Sequence, residues 1–221
     1  MCHLTQSLTR ENSMQLIGFL DSPFVRRVAV TMQFLGIEYQ HRELSIFRDY
    51  DEFRTINPMV KVPTLVLEDG QVLSDSTLII DYLESHIAGR SLMPVSKKDY
   101  LLALRHTGTA LVAMEKVAQL VYETSQRPRD LQYGPWITRL EQQLQGAAEI
   151  MESTVSSYAN SPDQWLLGDE LTQADISIAI AWRFMMHIER VNLEPEDHPA
   201  LVAFSARAEL LPEFMACPLS G

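Results

Sequence analysis

Cysteine is nearly absent from this chain of 221 residues: Cys2 and Cys217 stand near opposite ends and outside every motif. A disulfide framework, a cysteine metal cluster and an active-site thiol are therefore not supported. Long apolar runs are missing too. No eighteen consecutive apolar residues occur, and Met1 to Ser13 lacks the apolar core of a signal peptide, so a cytoplasmic protein with no membrane partner is expected. Basic residues are in deficit, 18 against 29 acidic, and the resulting charge of -11 is spread along the chain rather than gathered in a tail. Such a chain repels nucleic acid phosphates and anionic membranes at long range. Against that sign, Arg26, Arg27, Arg48 and Arg54 cluster in the first quarter. They suit an anionic ligand, although a solvated helix face explains Arg26 and Arg27 equally well.

What is present is 46% hydrophobic residues, enough for one large or two small cores. Residues 1–13 are expected to be a flexible tail. Met14 to Leu20 reads as a short buried strand ending at Asp21-Ser22-Pro23, where a serine cap and a proline in the first turn start a helix. Val25, Val28, Ala29, Met32 and Leu35 form its apolar stripe, and Gly36 stops it. Tyr39 to Leu44 reads as a second strand and Arg48 to Arg54 as a short irregular helix. Strands over Thr64 to Leu67 and Val72 to Leu73, and a helix from Asp75 to His86, complete a β-α-β-α-β-β-α order over residues 14–87.

Within that order the most informative stretch runs from Asn57 to Leu83. Pro63 cannot donate to a strand ladder, so it marks a strand start and leaves the Val62 backbone available to another partner. Asp69-Gly70 turns the chain. Asp75-Ser76 presents a carboxylate, a hydroxyl and unpaired N–H groups at a helix start. Together these suit a small, charged, peptide-like ligand.

Beyond residue 87 the pattern changes. Gly89, Pro94 and two lysines interrupt the periodicity over a linker, 88–98, and the rest, 99–221, is expected to be all-helical. Leu101, Leu104, Gly108, Leu111 and Glu115 follow one helical line, with Gly108 and Ala110 allowing close approach of a neighbour. Trp136, Leu140, Leu144, Ala147, Met151 and Val155 form a second stripe. Thr172-Gln173-Ala174-Asp175 has the form of a capping box, ahead of a helix that is apolar nearly all round. It is read as structural, with Asp175 serving folding rather than chemistry.

Asn57-Pro58, Lys61-Val62-Pro63, Asp69-Gly70, Leu73, Asp75-Ser76, Ile79 and Tyr82-Leu83, preceded by Ser22-Pro23-Phe24-Val25-Arg26-Arg27-Val28 and followed by Gly168-Asp169-Glu170-Leu171-Thr172-Gln173-Ala174-Asp175-Ile176, resemble a cytosolic-type glutathione S-transferase. The likeness runs from about Met14 to the end and is closest to serine-type bacterial members with tau-like and zeta-like motifs. It implies an α/β plus all-α fold, a thioredoxin-like domain followed by a helical bundle, with a cis bond before Pro63. Glutathione is then the co-substrate, with no metal, and a homodimer is implied, with the helices after Asp75 and after Asp99 at its interface.

The resemblance also assigns roles. Ser22 becomes the catalytic residue: a free thiol has a pKa of about 8.5, and a hydroxyl donating to sulfur at a helix N-terminus favours the thiolate. Capping alone would also select a serine there. A serine cannot form a mixed disulfide, which argues for thiol activation rather than thiol–disulfide exchange. Val62 would pair with the cysteinyl amide, Asp75 and Ser76 would hold the γ-glutamyl end, and Arg48 would take the glycyl carboxylate, with Arg54 and Lys61 as alternatives. The second substrate, a small hydrophobic electrophile, would lie between the domains, with Met114 and Tyr122 as candidates beside the ordinary reading of core packing. His106 is read as a surface or core histidine rather than a base. Two departures stand out: Val60 occupies a position where the family commonly has glycine, and the zeta class's serine-cysteine motif is absent, which disfavours maleylacetoacetate isomerisation. The alternatives to conjugation are a glutathione-dependent isomerase, peroxidase or dehalogenase, or a non-catalytic regulatory module of the same fold.

Overall fold

The computed structural model describes residues 13–158 and 164–219. Cys2 and all of the expected tail except Ser13 lie outside them. The chain forms two compact units: one extends to Ser91 and takes back the chain end from Ala216, and the other is Leu92–Met215. The helical unit thus stops at Met215, where the sequence reading carried it to 221.

In the first unit the elements are β1 (Gln15–Ile17), α1 (Pro23–Leu35), β2 (Gln40–Arg42), α2 (Tyr50–Ile56), β3 (Thr64–Val66), β4 (Val72–Ser74) and α3 (Ser76–Tyr82), which continues into a π-helical turn, Leu83–Ile87. The sheet order is β2-β1-β3-β4. β1 runs parallel to β2, with Gln15 opposite Gln40, and antiparallel to β3, with Leu16 opposite Leu65. β3 and β4 are antiparallel. This is the thioredoxin-like arrangement expected from the order of elements.

The first strand is three residues long because Gly18 leaves the extended region at φ 129°. Its N–H still bonds the Arg42 carbonyl at 3.0 Å, and a Cβ there would stand 2.7 Å from Val25 Cγ2 and 2.8 Å from Val62 Cγ1. Both obstacles are stiff β-branched side chains. Gly18→Ala is therefore expected to destabilise the fold by about 3 kcal/mol, a drop of about 10 °C in a thermal melt. Gly70→Ala is the control: φ is 82° there, but nothing lies within 4 Å of the added methyl. A drop no larger at Gly18 than at Gly70 would remove the close-approach argument.

α1 forms as the sequence predicts. Pro23 occupies its first turn, and Gly36 ends it at φ 67°, with its N–H on the last-turn carbonyls of Gln33 and Met32. The stripe Val25, Val28, Ala29, Met32 and Leu35 is buried, but so are Arg26 and Arg27, which corrects the reading of a solvated face. Arg26 Nε donates to the Cys217 carbonyl at 2.8 Å, tying the chain end back to α1. Beside β1, Ile17, Leu44 and Phe53 form a buried cluster flanked by Val60, Val62 and Val66.

In the second unit the helices are α4 (Lys97–Val121), α5 (Gly134–Tyr158), α6 (Gln173–His187), α7 (Pro199–Glu209) and α8 (Pro212–Met215). On α5, Leu140, Leu144, Ala147, Met151 and Val155 are buried as predicted, while Trp136 at the start of the same stripe is exposed. On α4 the predicted line is not the core: Leu101 is 67% exposed and Leu104 49%, while Ala103, His106, Thr107, Ala110, Ala113, Met114, Val117 and Leu120 face inward. Gly108 has open space where a side chain would stand, so it creates no close approach. α6 is buried on nearly every side. The Glu152 carboxylate on α5 accepts from Ala200 and Leu201 N–H at 3.0 and 2.9 Å, capping α7 from a neighbouring helix. Among the described residues no helix is long and apolar enough to cross a membrane.

Candidate active site

Three chain segments of the first unit carry the candidate ligand-facing groups: the start of α1, the turn before β3 and the junction of β4 with α3. Gly18 brings the first two together, because Val25 of the first α1 turn and Val62 both close on it. Arg27 joins the third to α1 through Ser76 and Thr77.

Ser22 is the N-cap of α1, with extended backbone at φ -73° and ψ 119°. Its Oγ is 3.5 Å from the Val25 N–H, against about 2.9–3.0 Å for a well-made bond. As a cap this contact is weak. The hydroxyl is half-buried, and no acceptor for its proton is found among the described residues. The first turn of α1 holds no acidic residue, so the positive end of the helix dipole is not neutralised from within the helix.

The Val62-Pro63 bond is cis. Among the described residues, neither the N–H nor the C=O of Val62 has a hydrogen-bond partner. The turn is braced from behind. Buried Asn57 donates through Nδ2 to Thr64 Oγ1 at 2.8 Å and Ser74 Oγ at 2.9 Å, and its Oδ1 accepts from Met59 N–H at 3.0 Å. Thr64 Oγ1 donates in turn to the Lys61 carbonyl at 2.6 Å. Val60, where the resembled family commonly has glycine, adopts φ 47°. That is a costly conformation for a β-branched residue, and packing against the Ile17, Leu44 and Phe53 cluster holds it there.

Asp75 caps α3 from φ 75° and ψ 124°, with its Oδ1 accepting from Thr77 N–H at 2.8 Å and Leu78 N–H at 3.3 Å. Strain at an exposed carboxylate beside a buried hydroxyl is the kind of outlier that clusters at ligand sites. Ser76 is 3% exposed, and its Oγ accepts from Arg27 Nη1 at 3.2 Å. Since that oxygen receives a hydrogen bond from a cation, the hydroxyl proton is left for an acceptor such as a carboxylate.

Three cations of this unit are candidates for a second carboxylate of the ligand. Arg48 is exposed and stands over the Phe19 ring at 5.3 Å, on the segment leading to Ser22. Lys61 Nζ lies 6.0 Å from the Phe24 ring centroid, and Arg54 is exposed on α2. In the second unit, Met114 is fully buried and Tyr122 is half-exposed at the π-helical end of α4. His106 is buried with Nε2 unpartnered, and burial, more than the neighbouring Arg105, lowers its pKa toward the neutral form. Among the described residues no group of His, Cys, Asp and Glu is gathered to hold a metal. Sequence reading did not single out Gly18, and it named Arg27 and Asn57 without their supporting roles. A double arginine interrupting an apolar stripe was the available signal for Arg27.

Residues 16–91 match the family model described as the N-terminal domain of glutathione S-transferase. Glutathione S-transferase U4 of Arabidopsis thaliana is 32% identical over 96 residues, a match spanning 43% of this chain and 42% of the plant protein. Maleylacetoacetate isomerase of Dictyostelium discoideum is 22% identical over 214 residues, 93% of each chain. A glutathione transferase family member from Pseudomonas fluorescens Pf-5, solved with bound glutathione, is 25% identical and superposes with a TM-score of 0.77, covering 95% of this chain and 100% of that one.

Proposed function

We propose that this chain, whose residues 16–91 match the N-terminal domain of glutathione S-transferase, is a glutathione transferase joining the glutathione sulfur to a small hydrophobic electrophile. The observation that carries this reading is the hydroxyl of Ser22, weakly engaged as a cap and placed at the N-terminus of a helix whose first turn holds no acidic side chain. When the thiol loses its proton to solvent, the Ser22 O–H donates to the thiolate and the α1 dipole stabilises the same charge. Lowering the thiol pKa by about two units needs roughly 2.7 kcal/mol, within reach of one charge-assisted bond and a helix terminus. The thiolate then bonds to an electrophilic carbon. In substitution the leaving group departs with its electron pair; in addition the adjacent carbon takes a proton.

In this reading the tripeptide lies along the first unit. Val62 pairs its free N–H and C=O with the cysteinyl amide, Ser76 donates to the γ-glutamyl carboxylate, and Asp75 Oδ2 receives the ammonium group. Arg48 takes the glycyl carboxylate, its planar fork matching that anion. A cytoplasmic location and a homodimer using α3 and α4, where Leu78 and Leu101 are exposed, belong to the same reading.

Calorimetric titration with reduced glutathione and with an S-alkylated analogue tests it. Binding of both is expected, followed by turnover with an aryl halide; binding of neither favours a regulatory module that keeps the fold without the chemistry. The near full-length similarity to a maleylacetoacetate isomerase favours one second reading, glutathione-dependent cis–trans isomerisation through the same thiolate. Glutathione-dependent conversion of maleylacetoacetate would establish it.

A further inference from the structure

Arg27 lies outside every role assigned so far, yet it is a buried cation in a protein that has few to spend. Its side chain is 2% exposed in the middle of α1. Nη1 donates to Ser76 Oγ at 3.2 Å and to Thr77 Oγ1 at 3.1 Å, so both protons of that nitrogen are directed at the first turn of α3. Burial lowers the guanidinium to about 10, and the charges of Asp75 and then Glu84 oppose that shift, so the group remains a cation at neutral pH. Glu84 is itself buried and accepts from Ser91 Oγ. A cation kept out of water at this junction needs a reason beyond packing, because an apolar side chain would fill the same space without the desolvation cost.

We propose that Arg27 is a positioning residue for the γ-glutamyl end of glutathione, acting through Ser76. Occupying the Ser76 oxygen from behind leaves that hydroxyl a single useful direction, donation outward to a carboxylate, and excludes a competing donor from the same spot. The cation also strengthens the hydroxyl as a donor. Arg27 stands five residues after Ser22 on one helix, an axial rise of about 7.5 Å. One rigid element thus fixes both the group that faces the thiol and the group that orients the anchor for the other end of the tripeptide. Asp75, strained at φ 75° and exposed, supplies the negative partner for the ammonium, while Arg27 sets the carboxylate side. This inference rests on the glutathione-binding reading above.

The test is a double-mutant cycle on the full chain, read as KM for glutathione and kcat separately. Arg27→Met is expected to raise KM about tenfold with kcat at saturating glutathione within about twofold. In a Ser76→Ala background the same substitution is expected to add less than about twofold, and Arg27→Lys is expected to recover part of the loss in the unmodified background. A factor that is equal in both backgrounds, or a loss confined to kcat, overturns the proposal. Should Arg27→Met fail to fold, Arg27→Lys is titrated with glutathione and with its γ-glutamyl α-amide. A smaller preference for the carboxylate than in the unsubstituted protein supports the role, and an unchanged preference overturns it. If the unsubstituted protein does not bind glutathione at all, the underlying reading falls and this one with it; binding with no coupling to Ser76 removes only the role of Arg27.

Discussion

Ser22→Ala is expected to leave the protein folded and glutathione bound while lowering turnover about five- to tenfold at pH 6.5, with the two pH profiles crossing between about pH 7 and 8. The stability cost is small because the Val25 N–H contact at 3.5 Å contributes little as a cap; less than about 1 kcal/mol is at stake. The kinetic cost follows from ionisation. A bound thiol near pKa 6.5 is about half thiolate at pH 6.5, whereas one returned to about 8.5 is about 1% thiolate, a ratio of about fifty. The more basic thiolate of the variant is intrinsically more nucleophilic, with a Brønsted slope of about 0.4–0.5, and that recovers several-fold. The net loss therefore shrinks as pH rises, vanishes between about pH 7 and 8, and reverses once both thiols are ionised, where only the higher nucleophilicity of the variant's thiolate remains. The measurement is kcat against pH for both proteins, together with the thiolate absorbance of bound glutathione. Parallel pH profiles, or an equal loss at pH 9, would mean that Ser22 acts in some way other than on the thiol pKa.

Much of the first unit could be read from local chemistry, and the places where reading failed share a cause. Helix α1 was legible because Ser22-Pro23 and Gly36 are signals that act within a turn of themselves. The strand start at Pro63 and the helix start at Asp75 were legible for the same reason, whereas the cis bond before Pro63 came only through the family resemblance. Arg26 and Arg27 were not, because what makes them buried lies far along the chain: Cys217 is 191 residues from Arg26, and Ser76 is 49 from Arg27. Local polarity favours water for an arginine, and only tertiary partners reverse that preference. The α4 error has a related origin. Hydropathy picked out Leu101 and Leu104, but the helix packs on α6 and α5 with a face built around Ala103, Ala110 and Ala113, small residues that contribute by letting helices approach rather than by their own apolar area. In the candidate site the proposed ligand-facing residues were nameable through the resemblance of their motifs to a known family, whereas the supporting roles of Gly18, Asn57 and Arg27 were visible only once the chain was folded.

The largest stability effect is expected from Asp175→Ala, far from any chemistry. The Asp175 carboxylate is fully buried and accepts three hydrogen bonds: Leu166 N–H at 2.8 Å on Oδ1, and Thr172 N–H at 2.8 Å and Thr172 O–H at 2.6 Å on Oδ2. Burial pushes its carboxyl above the usual carboxylate range, and those donors pull it back. One residue therefore caps the start of α6 and fastens the segment that precedes it by nine residues. Alanine would leave two buried backbone donors without acceptors, at about 1–3 kcal/mol each, and would lose the cap of a helix on which α4 and α7 both pack. A total of about 4 kcal/mol, or roughly 10–15 °C in a thermal melt, is expected. Asp175→Asn should recover little, because its amide keeps one acceptor oxygen and turns an NH2 group toward the remaining donors. Glutathione affinity in whatever fraction stays folded should be unchanged, since Asp175 belongs to the helical unit and the ligand-facing residues to the other. Loss of affinity without loss of melting temperature would mean that Asp175 serves the binding site and not the fold.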